Sequence, residues 1–214
     1  MFAACEGIYH FSLHILKTKN GEKKLKKVIV MFGAGVTDSG EISSVSKGII
    51  NTMESASRAW KFDVALFSGD SKYSKKSESS LLKKYAEESK LPIPVLLESD
   101  GKYLWEKSLN VVRTLKQNYP DEMFFLTAIV LHSEMQRVLA MLKDAVAFFE
   151  GGYMVTLYPA KEHYDALTSK KKFHSARKLE IHEKFSYFIY TLLSSLFFSK
   201  KSFCRTLSAM RIRL

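Results

Sequence analysis

KKVIVMFGAGV, Lys26 to Val36, is an apolar run entered through two lysines and stopped by glycines. Val28 to Phe32 are apolar without alternation, so they suit a strand buried on both faces rather than one with a wet side. Gly33 and Gly35 then suit a tight loop directly after it.

The same unit recurs along the chain. FDVALFSGD (62–70), IPVLLES (93–99), MFFLTAIVLHS (123–133) and MVTLYPA (154–160) are short apolar runs ending in turn or polar residues. Between them lie stretches with helical spacing. VSKGIINTMESASRAW places Val45, Ile49, Met53, Ala56 and Trp60 on one stripe, with Ser43 or Ser44 as N-cap. KKSESSLLKKYAEESK is a lysine-laced amphipathic helix closed by Leu91-Pro92. YLWEKSLNVVRTLKQN sets Trp105, Leu109, Val112 and Leu115 on one face, and EMQRVLAMLKDAVAFF follows the fourth strand. Apolar strands alternating with helices predict an α/β fold: a three-layer α/β/α Rossmann-like domain with a mostly parallel sheet of about five strands. The expected organisation is an N-terminal extension over 1–27, the α/β domain over 28–198, and a basic tail over 199–214. TSKKKFHSARK (168–178) reads as linker, and LEIHEKFSYFIYTLLSSLFF (179–198) as a terminal helix buried against the domain.

The 214 residues, 46% hydrophobic and 13% aromatic, are enough for a sizeable core, which excludes a chain disordered throughout. Cys5 and Cys204 have no Cys or His neighbours at zinc-ligand spacing, so free thiols are expected and no metal site is read. The first 24 residues carry their lysines after the apolar stretch, the reverse of a signal peptide, and no run reaches the length of a membrane-spanning helix. The net charge of +11 is lopsided: residues 166–214 hold 11 Lys/Arg against 2 Asp/Glu, and residues 1–165 hold 22 against 20. Such a basic, aromatic-rich end suits solvent or an anionic membrane surface, with nucleic acid the partner it favours least. Cytoplasmic placement, peripheral at the inner membrane, is the corresponding expectation.

A parallel sheet places ligands at the carboxyl ends of its strands, and several polar residues fall there. Gly33-Ala34-Gly35 lets backbone N–H groups approach a ligand, but Asp38 stands where the dinucleotide fingerprint needs its third glycine. Ser68-Gly69-Asp70 ends the second strand. Ser68 lacks the flanking glycines of a nucleophile elbow and reads as a loop cap. Glu78, Glu98 and Glu106 mark a helix start, a strand end and the next helix start. Glu78 and Glu106 also suit the helix dipole, whereas Glu98 ends an apolar run without that excuse. His132 and Glu134, with Arg137 a turn later, occupy the place where an acid/base group belongs, so Glu98, His132 and Glu134 are the catalytic candidates.

Taken in order, these segments resemble the YdcF/SanA/ElyC family of bacterial envelope-associated proteins, a domain of unknown function. VIVMFGAGVTDSGEIS (28–43) is similar to the family's strand, glycine turn and "x-D-G-x-L-S" segment. ALFSGD (65–70) matches its strand ending in Ser-Gly, Ser77-Glu78-Ser79 its "S-E-A" helix, and His182-Glu183 its terminal helix. Glu98 and Glu106 sit at the family's glutamates, while Gly101, Tyr103, Leu104 and Lys107 replace its Ser, Asn, Thr and Asn, and Glu134 replaces its His. The resemblance implies a ligand-binding Rossmann-like protein of the cell envelope that binds a nucleotide-like or S-adenosylmethionine-like molecule. It would do so around Gly33, Gly35, Ser68, Gly69, Glu78, Glu98, Glu106 and Arg137. The glycines would cradle an anionic or adenosyl group, Arg137 would pair with a carboxylate or phosphate, and the glutamates would bind hydroxyls. Two alternatives stand beside it: a transferase or hydrolase acting on a nucleotide or glycan precursor, and a degenerate scaffold docking through its basic tail.

Overall fold

The computed structural model describes residues 9–11, 24–37, 39–70, 77–149, 152–160, 170–195 and 203, with side chains of the last helix described from residue 181. Six strands form one sheet: β1 (Tyr9–Phe11), β2 (Leu25–Phe32), β3 (Val64–Ser68), β4 (Val95–Glu98), β5 (Met123–Val130) and β6 (Tyr153–Pro159). Their order is β1-β6-β5-β2-β3-β4, with β2 to β6 parallel and β1 antiparallel to β6. The five parallel strands are those read from the apolar runs. The short β1, which caps the β6 edge, carries no comparable signal, and β2 starts three residues before the expected boundary at Val28.

Five helices complete the layers: α1 (Ser44–Ala59), α2 (Glu78–Glu88), α3 (Leu104–Asn118), α4 (Met135–Phe149) and α5 (Lys170–Ser195), with a 3-10 turn at His132–Glu134. Alternate residues of each strand face opposite layers, so β2 feeds two cores. Ile29 and Met31 pack with Ile49, Ile50 and Met53 of α1, Phe67, and Leu82 of α2. Val28 and Val30 pack with Leu66, Leu126, Leu109 and Val112 of α3, and Val138 and Leu142 of α4. The sheet is therefore doubly wound, and its direction of winding reverses between β2 and β5. The loops after those two strands flank a crevice at their carboxyl ends.

Capping explains several boundaries. Ser43 accepts from the Ser46 N–H at 3.1 Å and starts α1, and Ser77 accepts from the Ser80 N–H to start α2. The inward stripe of α1 is Ser46, Ile49, Ile50, Met53 and Ala56. Val45 and Trp60, expected on that stripe, are exposed instead. Trp60 lies just past the helix in extended backbone and packs edge-on against Tyr158, ring centroids 5.2 Å apart.

The C-terminal segment departs further from expectation. Residues from Lys170 are helical, so most of the stretch read as linker belongs to α5. Nor is α5 buried by its apolar residues. Glu183, Ser186, Tyr190 and Ser194 face inward, and Ile181, Phe185, Phe188 and Leu192 face out. Specific polar joints, Arg137 with Glu183 and Tyr190 with Asp144, stand beside the apolar contacts of Tyr190 and the partly buried Leu193 with the core. Of the tail 199–214, all but residue 203 lies outside the described residues.

Candidate functional site

At the carboxyl ends of β2, β3 and β4 the chain buries charge. Glu78, the first residue of α2, points back across the rim: its Oε1 accepts from the Gly35 N–H at 2.6 Å and its Oε2 from the Asp70 N–H at 3.4 Å. The Lys107 ammonium on α3 lies 3.7 Å from Glu78 Oε2 and donates to the Gly33 carbonyl at 3.3 Å. Gly33 and Gly69 are glycines here for room. A Cβ on Gly33 would overlap the Glu78 carboxyl group, and one on Gly69 would come within 2.7 Å of the Ser79 nitrogen. Gly35 has a separate reason, a φ of +99° that other residues adopt only with strain.

Glu98 holds the next turn of the rim. One oxygen accepts from the Asp100 and Gly101 N–H groups, both at 2.7 Å, and from the Asn110 amide at 3.0 Å. The other takes the Ser68 hydroxyl in a short hydrogen bond. Ser68 is thus a partner of Glu98 rather than a cap of its own loop. Gly101 is packed tightly against α3, its would-be Cβ 2.8 Å from Lys107 backbone atoms. Glu106 accepts from the Lys102 and Tyr103 N–H groups at 2.9 and 3.1 Å and closes the capping box of α3.

The opposite wall of the crevice follows β5. His132 is exposed, whereas Arg137 is buried and joined to Glu183 of α5, with Nη2 hydrogen-bonded to Oε1 at 2.8 Å. Nε and Oε2 make an ionic contact at 2.7 Å off the hydrogen-bonding direction. Burial raises the Glu134 carboxyl above the ordinary carboxylate value, and the neighbouring Glu183 carboxylate raises it further. Arg137, a backbone hydrogen bond at Leu131 and Lys107 only partly oppose this.

The structure brings Gly33, Gly35, Ser68, Gly69, Glu78 and Glu98 into one bonded rim, and sets Glu134 and Arg137 on the wall across from it. Glu106 serves the end of α3, and His132 makes no contact with the rim network. Lys107, Gly101 and Asn110 complete the rim. Gly101 and Lys107 stand where the family that the sequence resembles carries Ser and Asn, so the sequence marks their places but not their role, and Asn110 escapes notice because an amphipathic helix such as α3 is expected to carry asparagine. Lys107 lies on the buried face of α3 with Val111 and Leu115, which brings its ammonium group over Gly33, and the close approach of Gly101 packs against its backbone.

The arrangement fixes what the rim can offer a ligand. Glu78 already takes the Gly35 N–H, and Glu183 already takes the Arg137 guanidinium, so the donors expected to cradle a phosphate are engaged within the protein. Among the described residues, the carboxyl groups of Glu78, Glu98, Glu134 and Glu183 lie about the strand ends, with Lys107 beside Glu78 and Arg137 beside Glu183. No protein-family model, curated protein or solved structure matches this chain.

Proposed function

We propose that this chain is a YdcF-like ligand-binding α/β protein that takes an S-adenosylmethionine-like molecule at the carboxyl edge of its sheet and serves cell-envelope maintenance in a bacterium. The observation that carries the ligand half of this reading is the rim at the β2/β5 crevice, where, among the described residues, the carboxyl groups of Glu78, Glu98, Glu134 and Glu183 outnumber Lys107 and Arg137. Charged groups are buried at a cost that packing alone does not require, and such clusters concentrate at binding sites. A site with engaged phosphate donors and an excess of carboxylate favours a ligand that brings hydroxyls, an amine or a positive centre over one that brings a polyphosphate. A sulfonium nucleoside bearing an amino group has that chemistry. The envelope role rests on the family resemblance alone.

A thermal-shift series on the full chain tests the ligand. S-adenosylmethionine in a hundredfold excess over its Kd should stabilise the fold by about 2.7 kcal/mol, and Glu134→Gln should weaken the shift while leaving the chain folded. ATP and nucleotide sugars should produce little. A shift from nucleotide sugars alone, or from no compound, would overturn the assignment.

The raised Glu134 carboxyl favours a second reading, a group-transfer or hydrolytic enzyme acting on a nucleotide or glycan precursor with Glu134 as its general acid. Turnover of such substrates that stays at background in wild type and Glu134→Gln alike would remove it.

A further inference from the structure

Helix α5 carries its amphipathicity inside out. Its fully buried residues are polar or amphipathic: Glu183 pairs with Arg137, Tyr190 donates to Asp144 at 2.7 Å and meets Phe203 edge-on, and Ser186 and Ser194 are buried beside them, with the partly buried Leu193 adding an apolar contact to the core. Its outward residues include Ile181, Phe185, Phe188 and Leu192, exposed by 60%, 62%, 59% and 48%. Their spacing of four, three and four residues aligns them along one side of the helix. Among the described residues the other large exposed apolar side chains, Leu25, Val45 and Trp60, lie outside α5 and do not continue this stripe. Scattered exposed apolar residues are ordinary, whereas a continuous row of four marks something that covers it.

The charge of the segment identifies what that is. The helix opens with KKKFHSARK (170–178), which holds five basic residues and no acidic one. Lys184 is exposed within the stripe's length, and residues 166–214 carry 11 Lys/Arg against 2 Asp/Glu. We infer that the outward face of α5 is a docking surface for an anionic lipid bilayer, on which the helix lies flat with Ile181, Phe185, Phe188 and Leu192 in the interface. Lysines and arginines at an amphipathic helix, with Phe and Leu on its apolar side, suit that location. A second copy of the chain would cover the stripe equally well but would bring two strongly basic segments together, a repulsion that an anionic surface reverses. None of the described helices is long and apolar enough to cross a membrane, so α5 lies on the bilayer rather than through it. The inference is independent of the ligand at the rim.

Co-sedimentation of the full chain with vesicles tests it, using phosphatidylcholine alone and phosphatidylcholine mixed with phosphatidylglycerol. Wild type is expected to pellet with the anionic vesicles only, and to be released as salt rises. The Phe185→Ser/Phe188→Ser double variant should partition at least about tenfold less, because each ring loses its apolar transfer, while its melting temperature stays at or above that of wild type. Lys170→Gln/Lys171→Gln/Lys172→Gln should weaken binding without touching the stripe. Three results would each overturn the inference: no pelleting with anionic vesicles, unchanged pelleting of the Phe double variant, or a wild-type dimer in light scattering that the Phe variant abolishes while vesicles bind neither.

Discussion

Lys107 shows how one side chain organises the rim. It bridges the Gly33 carbonyl and the Glu78 carboxylate in a buried setting, so Lys107→Met should strand Glu78 without its cation and cost about 3 kcal/mol in urea denaturation. Gly33→Ala should act on the same contact from the other side. Its methyl displaces the Glu78 carboxyl from the Gly35 N–H, and a loss of about 2–4 kcal/mol is expected. A cost within a few tenths of a kcal/mol for either variant would mean that the rim is looser than its packing. Glu134 behaves in the opposite sense. The folded chain holds the Glu134 proton more tightly than the unfolded chain, whose carboxyl has the ordinary value of 4.5. Between the two values the folded state binds more protons, so this group's effect on stability worsens as pH rises through that interval. Glu134→Gln should therefore be more stable than wild type at neutral pH, with the gap closing below about pH 4.5. Urea titrations at the two pH values check this, and an equal gap at both would remove burial as its cause. The rim glycines and glutamates were legible in the sequence because strand ends in a parallel sheet are predictable positions. The role of Lys107 was not, because a lysine replacing a family Asn in an amphipathic helix reads as solvated until its bonds to Gly33 and Glu78 are seen.

Between elements, the joint of α4 with α5 is the part of the fold that periodicity describes least well. An aromatic-rich helix suggests burial by its aromatics, yet only Tyr190 among the aromatics of FSYFIY is buried, and the joint includes Arg137–Glu183 and Tyr190–Asp144. Partners 46 residues apart in sequence leave no local trace, and inward polar residues of α5 defeat a hydrophobic-stripe reading by construction. A buried ion pair is weak evidence for net stability but strong evidence for mutual dependence. Arg137→Met alone should cost about 3–5 kcal/mol by leaving Glu183 charged and unpaired, whereas Arg137→Met/Glu183→Leu should recover most of that loss. Denaturant melts of the two singles and the double form the cycle. If the double lost as much as the sum of the singles, the pair would not be coupled and the joint would rest on other contacts. Tyr190→Phe removes one charge-assisted hydrogen bond and should cost about 1.5–3 kcal/mol by the same measurement.

Across the whole molecule, the doubly wound sheet sets a gradient of stability. β2 is paired on both sides from Val28 to Met31, by β3 and β5, and those four residues are wholly inaccessible, with one core on each face. This much was legible from KKVIVMFGAGV and its recurrences, since a strand apolar at every position has to be covered on both faces. The β4 edge was legible in IPVLLES, but the β1 edge was not: three residues of β1 pair with β6 through backbone groups that any sequence supplies. Opening free energies follow cooperative units, with central strands exchanging only through global unfolding and peripheral elements opening earlier. Amides of β2, β3 and β5 should therefore show the slowest hydrogen exchange, at the free energy of complete unfolding. Amides of α5, which rests on α4 and the 3-10 turn while its apolar stripe faces outward, should exchange through a separate opening of lower free energy. Glu183→Gln should speed the α5 amides and leave those of β2 near their wild-type rates, because it loosens the joint without entering either core. Native-state exchange resolved by residue or peptide distinguishes the cases. Exchange of α5 and β2 at one common free energy, in both wild type and Glu183→Gln, would mean that the terminal helix unfolds only with the sheet and that the polar joint is as strong as the core.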